Sequence, residues 1–257
     1  MKAVKLARDT WLIFQRHFLL VGRSPLYVVF GLATPVGYVF LFAPLLKLAL
    51  KAKGVTTYTQ AFRIYIPGLL TVMAILGGAY AGFGLLRELR TGIIERARVT
   101  PVSRLALMLG RALREVVWML AQAAVITLLA IPLGLSVPIG NLLLAYLILA
   151  ILTLFAVTLS YAVTLTVRNE AALPPMINTV SQPVMLLAGV LLPLTLAPLW
   201  LVSIARWNPF YWATNGMRDL FNSDIGASAV WISVVIVVVL ATLTVTWSVR
   251  VFSRLVR

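Results

Sequence analysis

Long apolar stretches dominate the chain, and short charged stretches punctuate it. Residues 26–46, 64–86, 116–137, 142–167, 171–205 and 225–249 contain no Asp, Glu, Lys or Arg. At about 1.5 Å rise per residue, each run is long enough as a helix to cross a hydrocarbon core of about 30 Å. The runs are unbroken rather than alternating. That predicts helices and not a barrel, since a helix satisfies its backbone hydrogen bonds within one segment. The pattern predicts an all-α membrane protein, with six transmembrane helices in a single transmembrane domain over residues 1–257.

The first 24 residues follow another rhythm. Val4, Ala7, Trp11, Phe14, Phe18 and Val21 recur at three- and four-residue steps and share one helical face. Lys2, Lys5, Asp9, Arg16 and Arg23 fall opposite them. An aromatic stripe facing a basic face suits an interfacial helix in the headgroup layer over residues 1–24. Scattered charges and the lack of a small-residue cleavage pattern set this segment apart from a secretory leader. It serves either as an anchor that fixes orientation or, through Trp11, Phe14 and Phe18, as a gate helix beside a lateral opening. His17, the single histidine, stands off the stripe and reads as an interfacial residue.

Two apolar runs carry further detail. In the second, Ala74, Gly78 and Gly82 repeat every four residues, as do Gly77 and Ala81. Small residues let helix backbones approach closely in lipid. The stripe serves either packing within the chain or sliding against a partner subunit. The run 171–205 is too long for one span and holds Pro174, Pro175, Pro183, Pro193 and Pro198. We expect a kinked fifth span ending near Pro193, a short segment dipping back, and a second short helix from Asn208-Pro209 to about Asn222. These short helices form an extracytoplasmic re-entrant region over residues 194–224. Irregular backbone at membrane depth survives only where protein or a wet cavity shelters it, so this region is expected to cap an outward exit.

Composition agrees with a membrane protein. Hydrophobic residues make up 61% of the 257 and charged residues 11%, too few to clothe a soluble core. The net charge of +15 raises the question of nucleic acid. The basic residues lie at span ends and in short loops, without the aromatic interleaving of a strand-binding groove, so nucleic acid is not an expected partner. Membrane lipids are, since positive charge beside spans sets orientation and meets anionic headgroups. With a cytosolic N-terminus, sixteen of the 22 Lys and Arg fall inside and six outside. Both termini and the second loop are therefore expected in the cytosol, although Lys47, Lys51, Lys53 and Arg63 of the first loop dissent.

Candidate chemistry is sparse. No carboxylate or histidine lies centrally in a span, as a proton-driven transporter usually requires. Glu170 and Asp219 stand near span ends, with Arg168 and Arg218 close enough in sequence to pair with them. There is no metal-ligand spacing, nucleophile elbow, charged ring or filter-like loop. With no cysteine, thiolate chemistry is excluded. No Gly-x-x-x-x-Gly-Lys-Ser/Thr loop is present, so any ATP must be held by another chain. No enzyme activity and no cofactor is expected on this chain itself.

The densest charge lies between the second and third spans, in Arg87-Glu88-Leu89-Arg90-Thr91-Gly92-Ile93-Ile94-Glu95-Arg96-Ala97-Arg98-Val99-Thr100-Pro101-Val102-Ser103-Arg104. Residues 87–98 can continue the second span as a helix beyond the bilayer. Pro101 ends it, because a proline pushes its predecessor out of helical geometry. Ser103 can cap a following helix that starts at Arg104. Charges of both signs alternate with Leu89, Ile93, Ile94 and Val99, as a protein interface with an apolar centre and polar rim requires. Residues 87–115 are thus expected to be a cytosolic docking loop.

This run resembles the cytosolic signature of type 2 ABC exporter permeases, the membrane subunits of drug, lipid and polysaccharide exporters. Leu187-Ala188-Gly189-Val190-Leu191-Leu192-Pro193 followed by Ala197-Pro198-Leu199-Trp200 is a second match, and Asn208-Pro209-Phe210-Tyr211 through Ala213 to Arg218 a third. Ala97 and Arg98 depart from the family's larger apolar residues. The resemblance implies a dimer of six-span subunits, identical or related, resting on separate ABC ATPase subunits that hold ATP and Mg. It implies that Arg87, Glu88, Gly92, Glu95, Arg96, Thr100 and Pro101 belong to a coupling helix set in a cleft of the ATPase. It also implies a pathway between the subunits, for which Tyr38, Tyr80, Asn178, Ser181, Gln182 and Met185 are candidates, each equally readable as interhelical packing. The expected function is export of a hydrophobic or amphipathic drug- or lipid-like compound across a prokaryotic inner membrane. Export of a lipid-linked polysaccharide and a non-transporting receptor or structural role are the alternatives.

Overall fold

The computed structural model describes residues 2–50, 57–91, 103–190, 194 and 197–255. Among the described residues are nine helices and no strand: α1 (Lys2–Gly22), α2 (Pro25–Leu50), α3 (Tyr58–Arg90), α4 (Arg104–Ala130), α5 (Ile139–Val167), α6 (Leu173–Leu187), α7 (Leu199–Ala205), α8 (Pro209–Phe221) and α9 (Ser228–Leu255).

The central pair is α3 on α5. In lipid, hydrophobicity does not drive helices together, so close fit and hydrogen bonding must. A Cβ on Gly78 would overlap Ala156, and one on Gly82 would overlap Thr164 and stand 2.6 Å from Ser160 Oγ. The missing side chains let the backbones meet. Ser160 Oγ uses the close approach, donating to the Ala79 carbonyl at 2.6 Å and accepting from the Gly82 amide at 3.1 Å. Ala74 is fully buried. The alternative of sliding against a partner subunit therefore gives way, for Gly78 and Gly82, to packing within the chain.

Apolar side chains close around this pair. Phe62, Ile66 and Leu70 of α3 pack with Ile126 of α4, Ile148, Leu149 and Leu152 of α5, and Phe221 of α8. Toward the C-terminal end of α3 a second cluster joins Leu85, Met108, Tyr161, Leu165 and Phe252. Side-chain bonds to backbone tie the ends of the bundle. Thr59 Oγ1 donates to Gly134 O and Arg63 NH2 to Ser136 O, both at 2.7 Å. At the opposite end Arg104 NH1 donates to Ser253 O at 3.1 Å.

Several helix boundaries follow from local chemistry. Ser103 caps α4, its side chain accepting from the Ala106 amide at 3.1 Å. Asn208 caps α8 by accepting from the Phe210 amide at 3.1 Å, with Pro209 in the first turn, where a missing N–H costs nothing. Two short helices, α7 and α8, stand within the residues 194–224 where short helices were expected. The helix expected as the fifth span, α6, is shorter than expected. It ends at Leu187 rather than near Pro193, and Gly189 follows at φ 65°, the left-handed conformation that glycine supplies after a helix end.

Six spans were expected. Among the described residues, α3, α4, α5 and α9 are long and apolar enough to cross a membrane, and α1 with α2, bent by 83°, counts as a fifth if taken as one span. At 15 residues α6 rises only about 22 Å, short of the hydrocarbon thickness. By contrast, α3 has 33 residues and runs about 50 Å, so it must project beyond the bilayer. On α9, Trp231 and Trp247 are both exposed and lie about 24 Å apart along the axis, one toward each end of the helix. The chain is a multi-pass membrane protein.

The N-terminal helix packs along the first half of α4. A Cβ on Gly110 would stand 2.7 Å from Ile13 and 2.9 Å from the Thr10 carbonyl, so α1 crosses α4 there. This contact turns Trp11 and Phe18 outward, 56% and 38% exposed, with Phe14 stacked between them at centroid distances of 5.2 and 5.5 Å.

The close α3–α5 contact makes a prediction. Gly82→Ala should destabilise the protein by about 1–3 kcal/mol through overpacking. Gly77→Ala, at a position that meets nothing within 4 Å, should be neutral or mildly stabilising. Thermal unfolding of the two variants in detergent makes the comparison.

Candidate functional site

Where α3 finishes and α4 begins, charged side chains meet between helices. Glu88 stands in the last turn of α3, on the side facing α1 and α4. Its carboxylate forms an ion pair with Arg111 NH2 of α4, and His17 Nδ1 of α1 stands 4.0 Å away. Arg111 is 7% exposed. A charge this deep requires a partner, so Glu88 and Arg111 hold α3 and α4 together at the base of the charged segment. Next to them, Arg114 NH2 binds Glu115 at 2.7 Å, and Arg114 NH1 reaches the Tyr27 hydroxyl of α2 at 3.4 Å.

His17 is pushed down to about 4, first by burial and then by Arg111, Arg114 and Arg16. The ring is thus neutral at ordinary pH, and its approach to Glu88 is a polar contact rather than an ion pair. His17 was expected to be merely interfacial; it is half-buried and packed at the junction of α1, α3 and α4.

Two expected pairings change. Glu170 takes Arg90 of α3 as its partner, at 2.9 Å, and Arg168 donates from Nε to the Leu165 carbonyl instead. Arg168 ends α5 at φ 51°, which turns the chain and brings residue 170 under the end of α3. Arg218 points away from Asp219, donating from Nε to Ile64 O at 3.1 Å and from NH2 to Gly189 O and Val190 O at 2.7 and 3.2 Å. Of the expected coupling residues, Arg87 is exposed and Glu88 is engaged within the chain; Gly92, Glu95, Arg96, Thr100 and Pro101 lie outside the described residues.

The pathway candidates divide. Tyr80 and Asn178 come together, the hydroxyl donating to Oδ1 at 3.0 Å across α3 and α6. Tyr38 stands on the exposed side of α2, and Gln182 is exposed on α6. Met185 is half-buried against the main core. Ser181 turns inward, 6% exposed, onto a cavity of about 300 Å³ between α3, α5, α6 and α8 that opens to the surface beside the exposed Val180. Ile75, Ala79, Met176, Val184 and Phe210 give it apolar walls, with Ser160 of α5 also in the lining.

The ABC-2 type transporter family model matches residues 8–222. The chain belongs to that family. Among curated relatives of this permease, the ycf38 protein of Porphyra purpurea, named as a transport permease, is 27% identical over 82% of the chain and 73% of the relative. That of Cyanophora paradoxa, named likewise, is 23% identical over 84% and 74%. Their counterpart in Pyropia yezoensis is 26% identical over 82% and 73%. Family membership makes this chain a membrane permease of the ABC type, a transport subunit distinct from the ATPase.

Arg111 and Ser160 escaped the reading of the permease sequence as candidates. The signal for Arg111 was a charge on the apolar side of α4, among Met108, Ala112 and Val116. Ser160 and Thr164, four residues apart, share the face of α5 that meets α3, but Thr153, Thr158 and Thr166 of the same run gave the sequence no means of singling them out.

Two predictions follow from this cluster. Arg111→Met should destabilise more alone than together with Glu88→Gln, with a coupling of about 1–3 kcal/mol in a double-mutant cycle of unfolding. His17 has a folded pKa of about 4 against 6.5 when free, so protons favour the unfolded chain between those values. Stability should therefore be unaffected by this residue above pH 6.5 and fall as pH drops toward 4, and His17→Gln should remove that part of the acid sensitivity in pH-dependent melts.

Proposed function

We propose that this chain is the membrane-spanning permease of an ATP-driven exporter, with ATP and Mg held by a separate ABC ATPase. The observation that carries the reading is the placing of the densest charged segment between α3, which is too long for the bilayer, and α4, which Ser103 caps, in a chain of the ABC-2 type transporter family. The Glu88–Arg111 pair ties the two helices at the root of that segment. A push on residues 92–102 then moves α3 and α4 together rather than bending one of them. The relatives' names as transport permeases support the same reading.

Both termini and residues 87–104 face the cytosol in this proposal, because sixteen of the 22 Lys and Arg then lie inside. The six spans are α2, α3, α4, α5, α6 with the residues that follow it, and α9, while α1 lies in the headgroup layer with Trp11, Phe14 and Phe18 toward lipid. Two such subunits, identical or related, assemble on ATPase subunits. Nucleotide drives transport by binding differently to the inward- and outward-open states. The exported compound is hydrophobic or amphipathic, drug- or lipid-like, for which the apolar walls of the cavity are suited. The membrane is a prokaryotic inner membrane.

The coupling assignment has a direct test. Glu95→Arg should detach the ATPase or lower substrate-stimulated ATP turnover by at least roughly tenfold, the effect of losing an interfacial charge contact. Co-purification and turnover measured together decide it. If both stay at the wild-type level, the segment is not the coupling element.

A further inference from the structure

The end of α6 is held by side chains from α8 and its cap. Asn208 Nδ2 donates to the Val184 carbonyl at 2.8 Å, while its Oδ1 accepts from the Phe210 amide at 3.1 Å. Val184 and Phe210 both line the cavity, one on its α6 wall and the other at its α8 end. Asn208 therefore joins wall to lid. Beyond the helix end, Arg218 NH2 binds the Gly189 and Val190 carbonyls at 2.7 and 3.2 Å, and Arg218 Nε binds Ile64 O of α3 at 3.1 Å. Gly68 of α3 makes room for this, since a Cβ there would overlap the Val190 carbonyl. Thr214 adds a bond from α8 to Thr71 of α3 at 3.0 Å. Asn208 and Arg218 are 9% and 6% exposed.

The chemistry of these bonds suits a closure that must also open. Gly189 and Val190 lie past the last turn of α6, and their carbonyls accept readily from a guanidinium, whose charge strengthens each bond. Water can replace the same donors once the surfaces part, so the net cost of separation stays modest although each bond is strong when dry. A carboxylate in place of these carbonyls would have trapped the arginine more tightly.

We propose that Asn208 and Arg218 are positioning residues of a clamp that keeps Phe210 and the end of α6 closed over the α8 end of the cavity, and that opening toward that face exchanges their carbonyl bonds for water. The proposal rests on the chain being a transporter, but its test does not need the ATPase. The chain has no cysteine, so Ser181→Cys places a single thiol on the cavity. Full-length protein in sealed liposomes of both orientations is treated with a membrane-impermeant maleimide, and the labelling rate is read from each face.

Asn208→Asp keeps the oxygen that caps α8 and removes the donor to Val184, setting oxygen against oxygen. Added to Ser181→Cys, it should raise labelling from the α8 face by roughly five- to tenfold, with labelling from the opposite face unchanged. Arg218→Gln should act in the same direction, and Arg218→Lys, which keeps one charged donor, should restore part of the protection. A role confined to stability predicts otherwise: a lower melting temperature with equal gains from both faces. That result, or an unchanged rate in Asn208→Asp, overturns the clamp. Should Arg218→Gln not fold, the Asn208→Asp comparison decides alone. Loss of ATPase coupling in Glu95→Arg bears on the exporter reading and leaves this outcome untouched.

Discussion

Gly78 and Gly82 of α3 bring its backbone against Ala156, Ser160 and Thr164 of α5, and the rest of the molecule is arranged about that contact. Lipid tails are as apolar as leucine, so the tightness of fit substitutes for the hydrophobic drive that holds soluble cores. Once α3 is seated, its upper turns meet α8 and the end of α6, and its lower turns meet α4 and α1. The cavity lies beside the seat, between α3, α5, α6 and α8.

Polar groups then gather at the two ends of the bundle, with different consequences. At the end of α3, Glu88 and Arg111 are charges of opposite sign, Arg111 buried and Glu88 partly so, and separating them would strand the arginine. Such a pair transmits force between helices and resists parting. At the α8 end, Arg218 and Asn208 hold neutral carbonyls that water can satisfy equally well. That linkage is suited to parting and closing. In the exporter reading we propose, the first end would convey motion and the second would yield to it.

The N-terminal helix belongs to the first of these ends. Its seat on Gly110 and the approach of His17 to Glu88 couple it to α3 and α4. Its aromatic face stays outward, toward what surrounds the bundle. Through these contacts α1 is seated against the ends of α3 and α4 that flank the charged segment.

What was legible in the sequence is what depends on near neighbours. Helical class follows from apolar run length, and Ser103, Asn208 and Pro209 mark helix starts because capping acts within three residues. The aromatic stripe of α1 and the small-residue stripe of α3 likewise follow from helical periodicity. The interhelical choices were not legible. Arg218 reaches Ile64, 154 positions away, in preference to its neighbour Asp219, and Glu170 takes Arg90 over Arg168. Sequence proximity favours the adjacent charge, but a guanidinium or carboxylate at a helix end binds whatever the packing brings within reach. Only the packing of α3 against α5, α4 and α8 decides which groups those are, and with them the Glu88–Arg111 pair, the cavity and the carbonyls that Asn208 and Arg218 hold.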